Sequence, residues 1–153
     1  REGASDLDDA ARASLAEMAG GIHGLFEVRR LRAGEVRLRD AFTRETHDVQ
    51  ERRATPGLEK GDLIEARLLP LGGRLHFSAA SLFQPRPVRK RILKEAKRRA
   101  KAAGKGEKPD VQGFLELLSR MALKLERYRN VRAESIYDFA AAEPTLTPRP
   151  GPS

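Results

Sequence analysis

Apolar and polar residues alternate in short runs through the part of the chain between residues 24 and 83. In the run EVRLRD, for example, Val36 and Leu38 fall on one face and charged residues fall on the other. Alternation with a period of two is typical of half-buried β-strands. Five such runs predict strands over residues 24–32, 35–40, 46–52, 62–69 and 74–78.

Residues that favour turns separate these runs. Ala33-Gly34 and Gly72-Gly73 each stand between two alternating runs, and such pairs favour tight hairpins. The segment TPGLEKGD over residues 55–62 contains a Pro-Gly pair and a Gly-Asp pair, which predicts a longer loop.

Five short strands within about sixty residues, each with one apolar face, predict a small antiparallel β-barrel of the SH3-like or OB-like kind. An open meander is the alternative arrangement. Pro70 is expected to end the fourth strand, because proline lacks the backbone donor that a sheet requires. The third run carries one clear apolar residue, Val49, which favours an edge strand.

The motifs of this stretch also resemble those of a small β-domain of bacterial proteins that is sometimes found beside SEC-C zinc motifs. They are LRD in the second strand, V-x-E-R in the third, then L-x-x-G-D-L-x-x-A-R-L-L-P-L-G-G and a closing H-F-S. The resemblance covers residues 24–83 and implies a bacterial β-module with no particular chemistry. Because the chain has no cysteine, the metal motif is absent.

Apolar residues at helical spacing flank the predicted barrel on both sides. Residues 5–19 predict an amphipathic helix that begins at Ser5, and residues 88–103 predict a second helix that stops at Gly104. Residues 110–129 predict a third helix with a wide apolar face, made of Phe114, Leu117, Leu118, Met121, Leu125 and Tyr128.

The fold class is therefore α+β, a small barrel flanked by amphipathic helices. We expect an N-terminal helix over residues 1–23, the barrel over 24–84, a helical region over 85–142 that packs on the barrel, and a disordered proline-rich tail over 143–153. Within the helical region, residues 133–142 predict a further short helix.

Positive charge is concentrated in one segment of the chain. Residues 86–108 hold 11 basic and 2 acidic residues, so this segment alone carries +9 while the whole chain carries +8. We expect an anionic partner, because like charges three or four residues apart on a helix repel. The candidate nucleic-acid-binding residues are Arg86, Arg89, Lys90, Arg91, Lys94, Lys97, Arg98, Arg99, Lys101 and Lys105.

These residues predict a nucleic-acid-binding accessory module, for RNA or DNA, that acts mainly through phosphate contacts. A solvated helix face in an arginine-rich chain, or an acidic protein partner, would also account for the charge. An anionic membrane is disfavoured, since the apolar stripe of the basic helix is mostly alanine. The main alternative function is protein-protein interaction or scaffolding through the apolar face of residues 110–129.

No catalytic, cofactor or metal signature stands out. The chain has no cysteine and three scattered histidines, His23, His47 and His76, without metal-ligand spacing. It also lacks a nucleophile elbow and a phosphate-binding loop. We therefore expect a non-enzyme with no cofactor, no small-molecule substrate and no membrane partner. The lack of cysteine and of a basic, apolar leader favours the cytoplasm.

Overall fold

The computed structural model describes residues 21–51, 57–78, 81–104 and 106–140. The chain divides into two compact units, residues 1–86 with the strands and residues 87–153 with the helices. The predicted helix over residues 5–19 and the predicted tail over 143–153 lie outside the described residues.

The first unit contains strands at all five predicted runs. Their bounds are β1 Ile22–Arg32, β2 Glu35–Asp40, β3 Thr46–Gln50, β4 Leu63–Leu71 and β5 Arg74–Phe77, with a sixth short strand, β6 Leu82–Phe83, that alternation did not predict. Two residues are too few to show an alternating pattern, so alternation could not predict β6.

The strands form a closed five-stranded barrel in the order β1-β2-β3-β5-β4, and β4 pairs back to β1. Strand β4 also pairs with β6. The order β4-β1-β2-β3 is a Greek key, since the fourth strand returns to lie beside the first.

One pairing of the barrel is parallel, so the expectation of an entirely antiparallel barrel needs correction. Strands β3 and β5 pair in parallel through Val49↔Leu75 and Gln50↔His76, while the other four pairings around the ring are antiparallel. Strand directions cannot alternate all the way around a ring with an odd number of members. Closing five strands therefore requires one parallel pair, and this pair also shows that β3 is not an edge strand along its whole length.

Pro70 lies inside β4 and does not end it, contrary to the sequence prediction. It pairs with Leu75 of β5 on one side, whereas the pairing with β1 ends at Leu68. At Pro70 the strand is thus paired on one side only among the described residues. A missing backbone donor is tolerated in such a position.

The barrel core is built from the inward-facing residues of the alternating runs. Buried side chains from β1, β2, β3 and β4 and from the loop before β4 fill it, namely Phe26, Val28, Val36, Leu38, Val49, Leu58, Ile64, Ala66 and Leu68. Ile22, Leu75 and Phe77 pack against this cluster. Burial of this apolar surface is the main stabilising term of the unit.

The described part of the second unit contains three helices. A 3-10 turn, Arg86–Val88, leads into α1 Arg89–Ala102, which is followed by α2 Val111–Arg127 and by the short α3 Ala133–Ile136. Asp110 caps α2 by accepting a hydrogen bond from the backbone nitrogen of Gly113 at 2.9 Å. None of the helices in the described ranges is long and apolar enough to cross a membrane.

Candidate nucleic-acid interface

Helix α1 carries most of the positive charge of the second unit. Its fourteen residues include eight Lys or Arg and one Glu, a net charge of +7. Its buried residues are Ile92, Glu95 and Ala96. A helix of this composition has basic residues on every side except the buried one, so the contacts of each cation decide which of them are free for a partner.

Four lysines form a single exposed line along α1, which we call the lysine stripe: Lys90, Lys94, Lys97 and Lys101. Their spacing of four, three and four residues places them within an arc of about 60° and over about 16 Å of helix. Within the described part of the chain, none of the four has a hydrogen-bond or ion-pair partner. The lysine stripe is thus a row of solvated charges.

Two arginines of α1, in contrast to the lysine stripe, donate hydrogen bonds to a carboxylate of the same helix. Arg98 donates two hydrogen bonds to the carboxylate of Glu95, at 3.0 and 2.7 Å, and Arg99 Nε donates to the same carboxylate at 2.8 Å. Glu95 is 8% exposed. Burial alone would raise the pKa of Glu95, but the hydrogen bonds from Arg98 and Arg99 outweigh it and hold this pKa below its ordinary value.

Arg99 also links α1 to α2. Its guanidinium carbon lies 4.8 Å from the centroid of the Phe114 ring. Its buried Nη2 has no conventional acceptor among the described residues. The electron-rich face of Phe114 supplies an electrostatic partner in place of an acceptor.

Arg91 binds the end of α3. Its Nη1 donates to the carbonyl oxygens of Glu134, at 2.7 Å, and of Tyr137, at 3.3 Å. These are carbonyls of the kind that a helix C-terminus leaves without an intrahelical partner. Arg91 therefore has a structural role in the helical unit.

Arg86 belongs to the barrel unit and hydrogen-bonds to the loop that precedes β4. Its guanidinium donates to both carboxylate oxygens of Asp62, at 2.8 and 3.0 Å, and to the carbonyl oxygen of Gly57 at 2.7 Å. Asp62 is 1% exposed and also accepts from the backbone nitrogen of Glu59. The hydrogen bond with Asp62 raises the pKa of Arg86.

The ten predicted residues therefore separate into groups. Four arginines, Arg86, Arg91, Arg98 and Arg99, have structural partners, and the four lysines of the stripe are solvated. Arg89 is half-buried and is not free of partners. Lys105 lies outside the described residues. A charge count could not make this distinction, because Lys and Arg contribute equally to it. The spacing of Arg98 and Arg99 from Glu95, three and four residues, was the one sequence signal for part of it.

Few aromatic side chains are available for stacking on bases. Phe26, Phe42, Phe114, Tyr137 and Phe139 are buried, and Phe77 packs against the barrel core. Phe83, at 45% exposed, and Tyr128, at 49%, are the exposed aromatics. An interface of lysines without a row of aromatics is suited to phosphate groups and poorly suited to base stacking.

The apolar face predicted for residues 110–129 is mostly covered. Phe114, Leu117, Leu118 and Met121 are buried, Leu125 is half-buried and Tyr128 is exposed. Phe114 packs on Phe139, with ring centroids 5.7 Å apart. Little of this face therefore remains for a second protein.

Two of the three histidines make separate contacts. His23 Nε2 lies 2.7 Å from Glu65 Oε2, and the ring of His47 stands edge-on to Phe26 with 6.1 Å between centroids. Across the described ranges, no three His, Asp or Glu side chains come close enough together to hold a metal ion.

No family model matches the sequence, and neither a curated protein nor a solved structure gives a significant match.

Proposed function

We propose that the chain is a non-catalytic nucleic-acid-binding module whose affinity comes from phosphate contacts of the lysine stripe. The observation that carries this proposal is that four exposed lysines follow one line of α1 while the neighbouring arginines are held by internal partners. A row of strongly hydrated point charges suits a linear polyanion, to which lysine binds without needing a fixed geometry.

Self-repulsion within the lysine stripe supports the same proposal. Lys90 and Lys94, Lys94 and Lys97, and Lys97 and Lys101 are three like-charge neighbours at helical spacing, and each pair costs about 0.2–0.5 kcal/mol. A phosphate backbone that lies along the stripe neutralises these charges and releases counterions. Binding of this type is sensitive to salt and does not depend on base sequence, since phosphates are the same at every step.

The barrel is assigned, as part of this proposal, to the OB-like rather than the SH3-like kind. Its support is the Greek-key order of a five-stranded ring with one parallel pair, which fits a five-stranded Greek-key barrel. The fold alone does not carry the function, because one barrel type serves many activities. The proposal also locates the module in the cytoplasm, with which a chain without cysteine is compatible.

The alternative function, a protein-interaction module, has less support. It would use the apolar face of α2, of which Phe114, Leu117, Leu118 and Met121 are already buried. Only the end of that face, at Leu125 and Tyr128, retains exposed area.

The test is a comparison of two charge-removal variants. Lys90→Gln/Lys94→Gln/Lys97→Gln removes three charges at i, i+4 and i+7 from α1. Arg120→Gln/Lys124→Gln/Arg127→Gln removes the same number at the same spacing from the exposed side of α2, and it serves as the matched control. Dissociation constants would be measured by fluorescence anisotropy with duplex DNA and with one of its strands, between about 50 and 200 mM salt.

If all four lysines contact phosphates, the wild-type slope of log K against log salt is about −3.6 for the duplex and about −2.8 for the single strand. The α1 variant should lose about three quarters of that slope and bind weakly to both forms, whereas the α2 control should bind like the wild type. Equal weakening in both variants would mean that net charge alone attracts the polyanion. No binding of the wild type at low salt would show the proposal to be wrong.

A further inference from the structure

The outer surface of the barrel brings two arginines face to face. In the pairing of β1 with β2, Arg30 lies directly opposite Arg37. Side chains that stand opposite each other in an antiparallel pair have Cβ atoms about 5 Å apart, and like charges in that position destabilise the sheet. This juxtaposition is unfavourable unless an anion lies between or beside the two guanidinium groups.

A β-bulge creates the juxtaposition. The register between β1 and β2 shifts between Val28 and Arg30, so that Arg29 is the extra residue on β1. Beyond the bulge, Leu31 pairs with the core residue Val36 while Arg30 turns outward. Bulges commonly redirect a side chain in this way. Simple alternation along β1 would have placed Arg29 at this position, so the sequence did not single out Arg30.

One carboxylate already occupies part of this surface. Asp48 of β3 lies opposite Arg37 and accepts two hydrogen bonds from it, at 2.8 and 3.2 Å. The hydrogen bond from Arg37 lowers the pKa of Asp48, and the charges of Arg37, Arg30 and Arg32 lower it further. Three guanidinium groups therefore act on a single carboxylate.

The neighbouring row of side chains, Arg32, Glu35 and Gln50, does not supply enough negative charge to balance the arginines. Arg32 lies opposite Glu35, and Gln50 Nε2 donates to Glu35 at 3.4 Å. Three arginines face two acids, Asp48 and Glu35, which leaves a net charge of +1 on this part of the face. That charge equals the single negative charge of one phosphodiester group.

We infer that Arg30 and Arg37, with Arg32 beside them, form a subsite for one phosphate group of a nucleic-acid backbone, which we call the barrel subsite. This inference rests on the proposed function, because it assigns the same partner to a second surface in the other unit of the chain. The guanidinium groups can present paired donors to phosphate oxygens. Asp48 competes with the phosphate for Arg37 and thereby limits the affinity of the barrel subsite.

The test uses the full chain, labelled with ¹⁵N and titrated with a short thymidine oligonucleotide at mildly acidic pH, where arginine Nε–H signals are visible. Arg30→Lys and Arg37→Lys assign the two signals by their loss. We expect the Nε–H signals of Arg30 and Arg37 to shift on titration, and those of Arg120 and Arg127 on α2 to stay in place. In Asp48→Asn, which preserves the size of the side chain, the same shifts should saturate at roughly fivefold lower oligonucleotide concentration.

The same titration separates this inference from the proposed function. Backbone signals of Lys90, Lys94, Lys97 and Lys101 report on the lysine stripe. If the Arg30 and Arg37 signals shift while those of the stripe do not, the barrel subsite stands and the proposed role of α1 falls. If the Arg30 and Arg37 signals stay in place, or if Asp48→Asn does not lower the saturating concentration, the barrel subsite is refuted whatever happens at the stripe.

Discussion

Arg99 lies over the ring of Phe114, with 4.8 Å between the guanidinium carbon and the ring centroid, and its Nε donates to Glu95. This arrangement joins two helices of the second unit through a residue that sequence composition groups with the solvated lysines. Side chains that carry the same charge on α1 thus have two different surroundings. Arg91, Arg98 and Arg99 hydrogen-bond to other groups of the helical unit, whereas the four lysines of the stripe are solvated.

Glu95→Gln should destabilise the helical unit at neutral pH. The substitution removes a buried carboxylate that accepts from both Arg98 and Arg99, and loss of such charge-assisted hydrogen bonds costs about 1–3 kcal/mol. Glu116→Gln, at an exposed position of α2, is the control and should change the free energy of unfolding by less than about 0.5 kcal/mol. Both tyrosines of the chain, Tyr128 and Tyr137, lie in this unit, so tyrosine fluorescence during urea unfolding is the measurement.

The effect of Glu95→Gln should also depend on pH. Because the pKa of Glu95 is lower in the folded chain than in the unfolded chain, its contribution is fully present above the unfolded pKa and is lost as the pH falls through the folded pKa. The difference between wild type and variant should therefore be large at neutral pH and small in strong acid. An equal difference at both would contradict a role for the Glu95 charge.

Tyr137→Phe should leave the chain as stable as the wild type or more stable by about 1 kcal/mol, because it removes a polar group that is buried without compensation. The hydroxyl of Tyr137 is buried and has no hydrogen-bond partner among the described residues. Tyr128→Phe, at a half-exposed position, is the control and should have no effect. Thermal unfolding followed by circular dichroism is suitable, and a clear loss of stability in Tyr137→Phe would reveal a partner for the hydroxyl.

Alkaline pH provides a second check on Tyr137. Burial raises the pKa of Tyr137 to about 12, above its value in the unfolded chain. The folded chain therefore favours the neutral phenol. Its contribution to the free energy of unfolding declines as the pH rises from about 10 towards the pKa of Tyr137 in the folded chain. Stability should fall more steeply with pH in the wild type than in Tyr137→Phe, since the phenylalanine variant has no such group to ionise.

Two glycine substitutions in the barrel unit should lower the melting temperature to different extents. Gly21 and Gly34 both have positive φ, 84° and 77°, so alanine at either position is strained by about 1–2 kcal/mol. At Gly21 an added Cβ would also overlap the carbonyl oxygen of Leu68, whereas at Gly34 it would meet no atom within 4 Å. Gly21→Ala should consequently lower the melting temperature more than Gly34→Ala, and equal melting temperatures would contradict the close approach of Gly21 to β4.

Much of the secondary structure could be predicted from local pattern. The alternation in EVRLRD predicted β2 at residues 35–40, and the structure has the strand Glu35–Asp40. Helix α1 was expected over residues 88–103 and spans Arg89–Ala102. These features depend on the period of apolar residues and on nearby glycines, which act within a few positions along the chain. The concentration of charge in residues 86–108 is likewise a property of composition.

The tertiary structure decided what local pattern could not. Ring closure required one parallel pairing, which joins β3 and β5. The pairing of β4 with β1 ends at Leu68, which allowed Pro70 to remain inside β4, and a bulge turned Arg30 towards Arg37. The separation of solvated lysines from anchored arginines on α1 arose in the same way. Most of these features depend on partners that are distant along the chain, such as Phe114 for Arg99 and Tyr137 for Arg91, although Glu95 lies only three and four residues before Arg98 and Arg99. The sequence by itself therefore determined most of the elements and the total charge, and folding determined most of the charges that remain free, because burial and most of the hydrogen-bond partners depend on long-range contacts.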